Sequence, residues 1–164
     1  MKLSRDSQAM EFSPIRKFNP IATEVQESGV KIYYLNIGQP DIKTPKCFMD
    51  AVRAFDEDVL MYEQSQGDIK FLESICDYYK REYSVEYKPS DIVVTMGASE
   101  ALTMTFTTII DPDDEILLAE PFYSNYQTFA LVRGGNIKPI STSSKEGYRY
   151  ASKDKLEAAL TDKT

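Results

Sequence analysis

The stretch VVTMGASEALTMTF, residues 93–106, constrains this chain more than any other. Val93, Val94 and Thr95 form a β-branched run of the kind that fills a buried strand. The residues after Ser99 continue in a helical pattern, so a strand feeds a helix through Gly97-Ala98-Ser99 with almost no side chain at the joint. A helix that starts this way leaves its first N–H groups unpaired and pointing outward. The helix dipole adds partial positive charge, and small residues let an oxygen of a ligand come close, which suits a phosphate. Ser99 offers a hydroxyl to the same oxygens. Tight packing of strand on helix accounts for the same three residues, so both readings stand at this point. The Gly-Lys-Ser/Thr ending of a P-loop is missing, and so is G-x-G-x-x-G, which makes a single phosphate a better fit than a dinucleotide.

Beyond this joint the chain alternates. DIVVTM (91–96) reads as a strand, 99–110 as a helix, DPDDE as a turn and ILLAE (116–120) as a second strand. FYSNYQTFALVRGG is loop and helix stopped by Gly134-Gly135, and NIKPIS is a third strand whose Pro139 suggests an edge. A last helix starts near Lys153 with Ser152 as its cap. Strands alternating with helices imply an α/β fold with a mostly parallel sheet. A further parallel strand normally follows such a helix, and the sequence stops at Thr164, so the sheet is expected to be incomplete. A small complete three-layer domain is the alternative.

The first half is less regular. NPIATEVQESG predicts a helix closed by Gly29, KIYYLNIG (31–38) a short strand, and Thr44-Pro45 the cap and first turn of a helix to about Phe55. That helix carries Phe48, Ala51, Val52 and Phe55 on one face. LMYEQSQGD is irregular, and a second amphipathic helix covers about 69–82 with Ile69, Leu72, Ile75, Cys76 and Tyr79 on one side.

Composition narrows the chemistry. With 164 residues, 42% apolar and 27% charged, the chain has globular values. Its net charge is −7, from 26 acidic and 19 basic side chains without a basic block, which argues against nucleic acid or an anionic membrane as partner. No stretch reads as a signal peptide or a membrane span, and Cys47 and Cys76 read as buried thiols in a reducing compartment, so a cytoplasmic location is expected. There is no histidine, which removes Ser-His and Cys-His nucleophile pairs and most zinc sites. No metal site is expected.

A second candidate lies in AEPFYSNY (119–126), just past the next strand. Ligands of parallel sheets bind outside the carboxyl ends of the strands, so 97–99 and 122–126 are expected on one rim. The aromatics there either give a flat face to a planar ring or anchor the loop on the core. Both candidates together suggest a planar phosphorylated cofactor.

These residues resemble the class I/II aminotransferases, the aspartate-aminotransferase-like fold-type I enzymes that use pyridoxal 5′-phosphate (PLP). The resemblance covers roughly 12–164 and would make the chain the N-terminal portion of such an enzyme. YYLNIGQPDIKTP is similar to the family's Leu-x-x-Gly-x-Pro-Asp segment and implies that Gly38 lies near the substrate carboxylate. LMYEQSQGDIKFLESICDYYKREY resembles its Tyr-x-x-x-x-Gly-x-x-x-Leu-Arg stretch, with Leu72-Glu73 departing from Leu-Arg. That match makes Tyr62 the tyrosine that reaches the cofactor phosphate of a neighbouring subunit, which implies a homodimer. VVTMGASEAL matches the phosphate turn at Gly97, Ala98 and Ser99, and DPDDEILLAEPFYSNYQTFALVRGG implies that Tyr123 stacks on the pyridine ring. The family's Asn-Pro-x-x-Pro-Thr-Gly segment, pyridinium aspartate, Schiff-base lysine and carboxylate-binding arginine would lie beyond Thr164, so no catalytic residue is carried over. Lys145 reads as a solvated loop residue, and Arg133 and Arg149 are not the substrate arginine.

The resemblance implies a three-layer PLP-dependent transferase fold truncated before its sheet is complete. Residues 1–45 would be the N-terminal arm and small-domain segment, and 46–164 the first part of the large PLP-binding domain. The implied reaction moves an amino group between an amino acid and a 2-oxo acid, with residues 1–164 inactive alone. A PLP-dependent C–S lyase of the same fold, or an inactive PLP- or phosphate-binding domain, are the alternatives.

Overall fold

The computed structural model describes residues 2–10, 12–149 and 151–164. In chain order it holds the helices α1 (Arg5–Ala9), α2 (Asn19–Glu27), α3 (Lys46–Arg53), α4 (Ile69–Tyr83), α5 (Ala98–Ile109), α6 (Asn125–Val132) and α7 (Lys153–Ala159). Two strands, β1 (Glu115–Ala119) and β2 (Asn136–Ile140), complete the regular elements apart from two short 3-10 turns. The chain divides into two compact units, Met1–Ile37 with Ala98–Thr164, and Gly38–Gly97.

The first unit carries the sheet. β1 and β2 run parallel in the register Glu115↔Asn136 to Ala119↔Ile140. The α5–β1–α6–β2–α7 order is the right one for parallel crossover units, and it confirms the α/β reading of the sequence. Helices α6 and α7 pack on β2, α5 packs on α6, and α1 reaches α6. Phe106 of α5, Ala130 of α6 and Ile140 of β2 are the buried apolar side chains described there. α6 ends at Val132 with Arg133 as its C-cap, after which Gly134 turns left-handed and its carbonyl accepts from Asp113 N–H at 2.8 Å. The first residue of β1 is tied three ways. Glu115 N–H donates to the Lys163 carbonyl at 2.8 Å, the Thr161 hydroxyl donates to its carboxylate at 2.6 Å, and Lys138 Nζ lies 3.3 Å from the same carboxylate.

In the Gly38–Gly97 unit, α4 is the best-defined element. Asp68 caps it by accepting from Phe71 N–H at 2.8 Å, and Ser84 closes it in the left-handed conformation, with Lys80 and Arg81 in the last turn. Leu72 is the buried residue of this helix, with Ile75 and Cys76 half-buried, while Ile69 and Tyr79 of the expected apolar face are exposed.

Several expectations are corrected. Residues 31–38 and 91–96 form no strand, because no partner strand runs beside either among the described residues; the first segment bends at 36–37, and Asp91 closes a 3-10 turn. The one ladder-like bond in 92–96 is Val94 N–H to the Gln66 carbonyl at 2.8 Å. Thr44 does not cap α3. Pro45 takes the cap position with ψ 135° and no side-chain bond, so the helix begins at Lys46, and it stops at Arg53 short of Phe55. Phe48, Val52 and Phe55 are exposed, since nothing described packs on that face. Cys47, expected to be buried, is exposed at the start of the same helix, whereas Cys76 is half-buried.

Candidate functional site

The joint between 92–96 and α5 is held by one residue from two sides. Gly97 N–H donates to the Thr95 carbonyl at 2.8 Å, and the Thr95 hydroxyl donates to the Gly97 carbonyl at 3.0 Å. This turn needs φ +86° at Gly97, in the left-handed region that favours glycine. A Cβ added there would meet nothing within 4 Å, so glycine serves the backbone angle and not a steric approach within the protein. The space beside the turn is open.

α5 then starts at Ala98. The leading N–H groups of a helix have no partner within it, and no described protein group accepts from the N–H of Ala98 or Ser99. Both residues are exposed. The Ser99 carbonyl is bound by the Thr103 hydroxyl at 2.8 Å, which fastens the first turn from behind. Unpartnered amides at the positive end of a helix are chemically suited to an anion. Glu100 stands in the same first turn, where the dipole also favours its carboxylate.

The loop after β1 separates the two roles that its aromatics were given. Tyr126 is half-buried and acts as the anchor, while Tyr123 is 49% exposed. The rings meet edge to face, with centroids 5.9 Å apart at 86°. Asn125 Nδ2 donates to the Tyr123 hydroxyl at 2.8 Å, so one edge of the ring is fixed and a face stays open. Sequence reasoning missed both Asn125 and Thr95 as supports. An Asn two positions after an exposed tyrosine, and a Thr two before a glycine, are the signals that were there.

Ala98, Ser99 and Tyr123 belong to one compact unit, whereas Gly38, Tyr62 and Gly97 belong to the other. Gly38 is exposed, with open space where a Cβ would stand, and the Tyr62 side chain is fully exposed. Among the described residues no three His, Cys, Asp or Glu side chains are grouped to hold a metal ion, and no helix is long and apolar enough to cross a membrane.

The family profile "Aminotransferase class I and II" matches residues 30–164. The chain belongs to the class I and II aminotransferases. It is 33% identical to the aspartate aminotransferase of Bacillus subtilis over 166 residues, covering 100% of this chain and 42% of that protein. It is 29% identical to the aspartate/prephenate aminotransferase of Thermus thermophilus, over 99% of this chain and 42% of that one. Its fold superposes on an alanine aminotransferase from Pyrococcus furiosus with TM-score 0.92 and 30% identity, over 99% of this chain and 42% of the other. The chain thus spans less than half the length of the relatives it matches.

Class I and II aminotransferases are PLP-dependent, and the residues of this member fit the cofactor's phosphate. The fit rests on the uncommitted Ala98 and Ser99 amides that open α5.

Proposed function

We propose that this aminotransferase chain is the cofactor seat of an enzyme that moves an amino group between an amino acid and a 2-oxo acid. The observation that carries the reading is the pair of uncommitted amides at Ala98 and Ser99 opening α5. In this reading they hold the phosphate of PLP, with Gly97 setting the turn and Tyr123 lying against the pyridine ring. When bound, PLP supplies an electron sink for the charge that develops when a proton leaves the substrate Cα. The chain's own residues bind and orient. The amides fix the phosphate end, the Tyr123 face limits tilt of the ring, and Asn125 limits rotation of Tyr123.

Gly38 is assigned to the substrate carboxylate, where a missing side chain leaves room. Tyr62, whose side chain is fully exposed, is assigned to the cofactor phosphate of a partner subunit in a homodimer. Residues 1–45 are assigned to the arm and small-domain segment and 46–164 to the large domain. The location is cytoplasmic. No lysine of these 164 residues matches the family's Schiff-base position, so the 164 residues alone are inactive.

The test is amino exchange by the full-length protein. Incubated with PLP, an amino donor and a 2-oxo acid, it should release the donor's oxo acid in step with formation of the new amino acid, and residues 1–164 should release none. Ammonia and pyruvate release without exchange would replace this reading with a lyase. In the same protein, Tyr123→Ala should weaken cofactor retention about tenfold, the scale of one lost aromatic stack plus its buried area. Tyr148→Ala should leave retention unchanged. Equal effects of the two would remove the stacking assignment.

A further inference from the structure

Past the end of β2 the chain forms an open groove of about 910 Å³ between residues 141–149 and the start of α7. Lys145, Arg149 and Lys155 line it, against one carboxylate, Glu146. In a chain of net charge −7 this is a local reversal of sign. No described carboxylate is paired with any of the three cations, although six other basic side chains of the chain do form ion pairs.

The loop that carries Lys145 and Arg149 is tied down. The Thr142 hydroxyl donates to the Glu120 carbonyl at the end of β1. Ser143 Oγ accepts from Lys145 N–H at 3.2 Å, and its carbonyl accepts from Tyr148 N–H at 2.9 Å. Gly147 closes the 3-10 turn with φ +68°. Lys155 comes from α7, which Ser152 caps. Two ammonium groups and a guanidinium are therefore presented to one concavity from two separately fastened segments.

We propose that this groove binds a small phosphate-bearing molecule, distinct from the cofactor seat at Ala98–Ser99. A guanidinium offers a planar fork to two phosphate oxygens, and two ammonium groups act as point charges on the others. Three cations against one carboxylate match a doubly charged group better than a single carboxylate. The groove's volume lies in the range of small-molecule sites, so it has room for an organic body beyond the phosphate. The proposal does not depend on the aminotransferase reading, because none of its residues is used there.

The probe is inorganic phosphate, titrated calorimetrically into the full-length protein and its variants at low ionic strength. Saturable binding is expected, weakened at least tenfold in Lys145→Ala/Arg149→Ala and less in Arg149→Lys, which keeps the charge but loses the fork. It should weaken steeply as salt is raised, since the groups are exposed. Ser99→Ala should leave this binding in place. Circular dichroism of each variant shows whether the fold is kept, and both Lys145 and Arg149 are exposed. The proposal is overturned if phosphate binding is unchanged in the double variant. It is equally overturned if binding vanishes in Ser99→Ala instead, or if chloride competes as well as phosphate at equal concentration.

Discussion

At Gly97 the backbone alone decides the residue. Its φ of +86° is a conformation that costs an L-residue about 1–2 kcal/mol, and there is no neighbour for a Cβ to strike. Gly97→Ala should therefore lower the stability of the full-length protein by about that amount, read as a shift in urea midpoint. Gly67→Ala should cost more, because φ +115° is combined with a Cβ only 2.6 Å from Val94 Cγ2. If the two variants were equally stable, backbone strain and not contact would govern both sites. This part of the site was legible in the sequence, because Gly-Ala-Ser between a β-branched run and a helix is a local feature. Tyr123 was singled out over Tyr126 by the family resemblance, not by spacing. Which ring is exposed depends on what packs beneath the loop, and spacing carries no trace of that.

Helices were read from the sequence more faithfully than strands, for a reason of hydrogen bonding. The bonds of α4 and α5 close within the element, so period and caps suffice to locate them. A strand's bonds belong to its partner, and 31–38 and 91–96 have the composition of strands without a described neighbour to make them so. β1 and β2 were legible because each supplies the other. Caps followed the same logic. Ser152 does cap α7, accepting from Lys155 N–H at 3.4 Å, while Thr44 lost its place to the extended Pro45. At α4 the cap is Asp68, and Asp68→Ala should cost about 1 kcal/mol of stability in the full-length protein, with loss of helical signal before the main unfolding transition. An unchanged urea midpoint would mean that packing at Leu72, and not the cap, holds that end.

At the scale of the whole chain, burial is thin. Leu72 is the single buried apolar side chain described in the Gly38–Gly97 unit, and Phe106, Ala130 and Ile140 are those of the other. The 164 residues alone are therefore expected to melt without cooperativity and to associate through their exposed apolar side chains, measurable by calorimetry and light scattering. A sharp melt of a monomer would contradict this.

What fastens the chain's end to the sheet is polar, and it carries a pH dependence. The Thr161 hydroxyl, and after it the Lys138 ammonium, hold the Glu115 carboxyl below the usual glutamate range despite the opposing effect of burial. A carboxyl whose folded value lies below its unfolded one stabilises fully above the unfolded value. That contribution is lost as pH falls through the lowered folded value. In the full-length protein, Glu115→Gln should thus be less stable than wild type at neutral pH, and the gap in urea midpoint should close as pH falls through and below the glutamate range. Thr161→Val should raise the Glu115 carboxyl toward its ordinary value, visible as a shifted titration of its side-chain carbon signal. A gap that stays constant with pH would show that the Glu115 bridge to Thr161 and Lys138 does not couple protonation to folding.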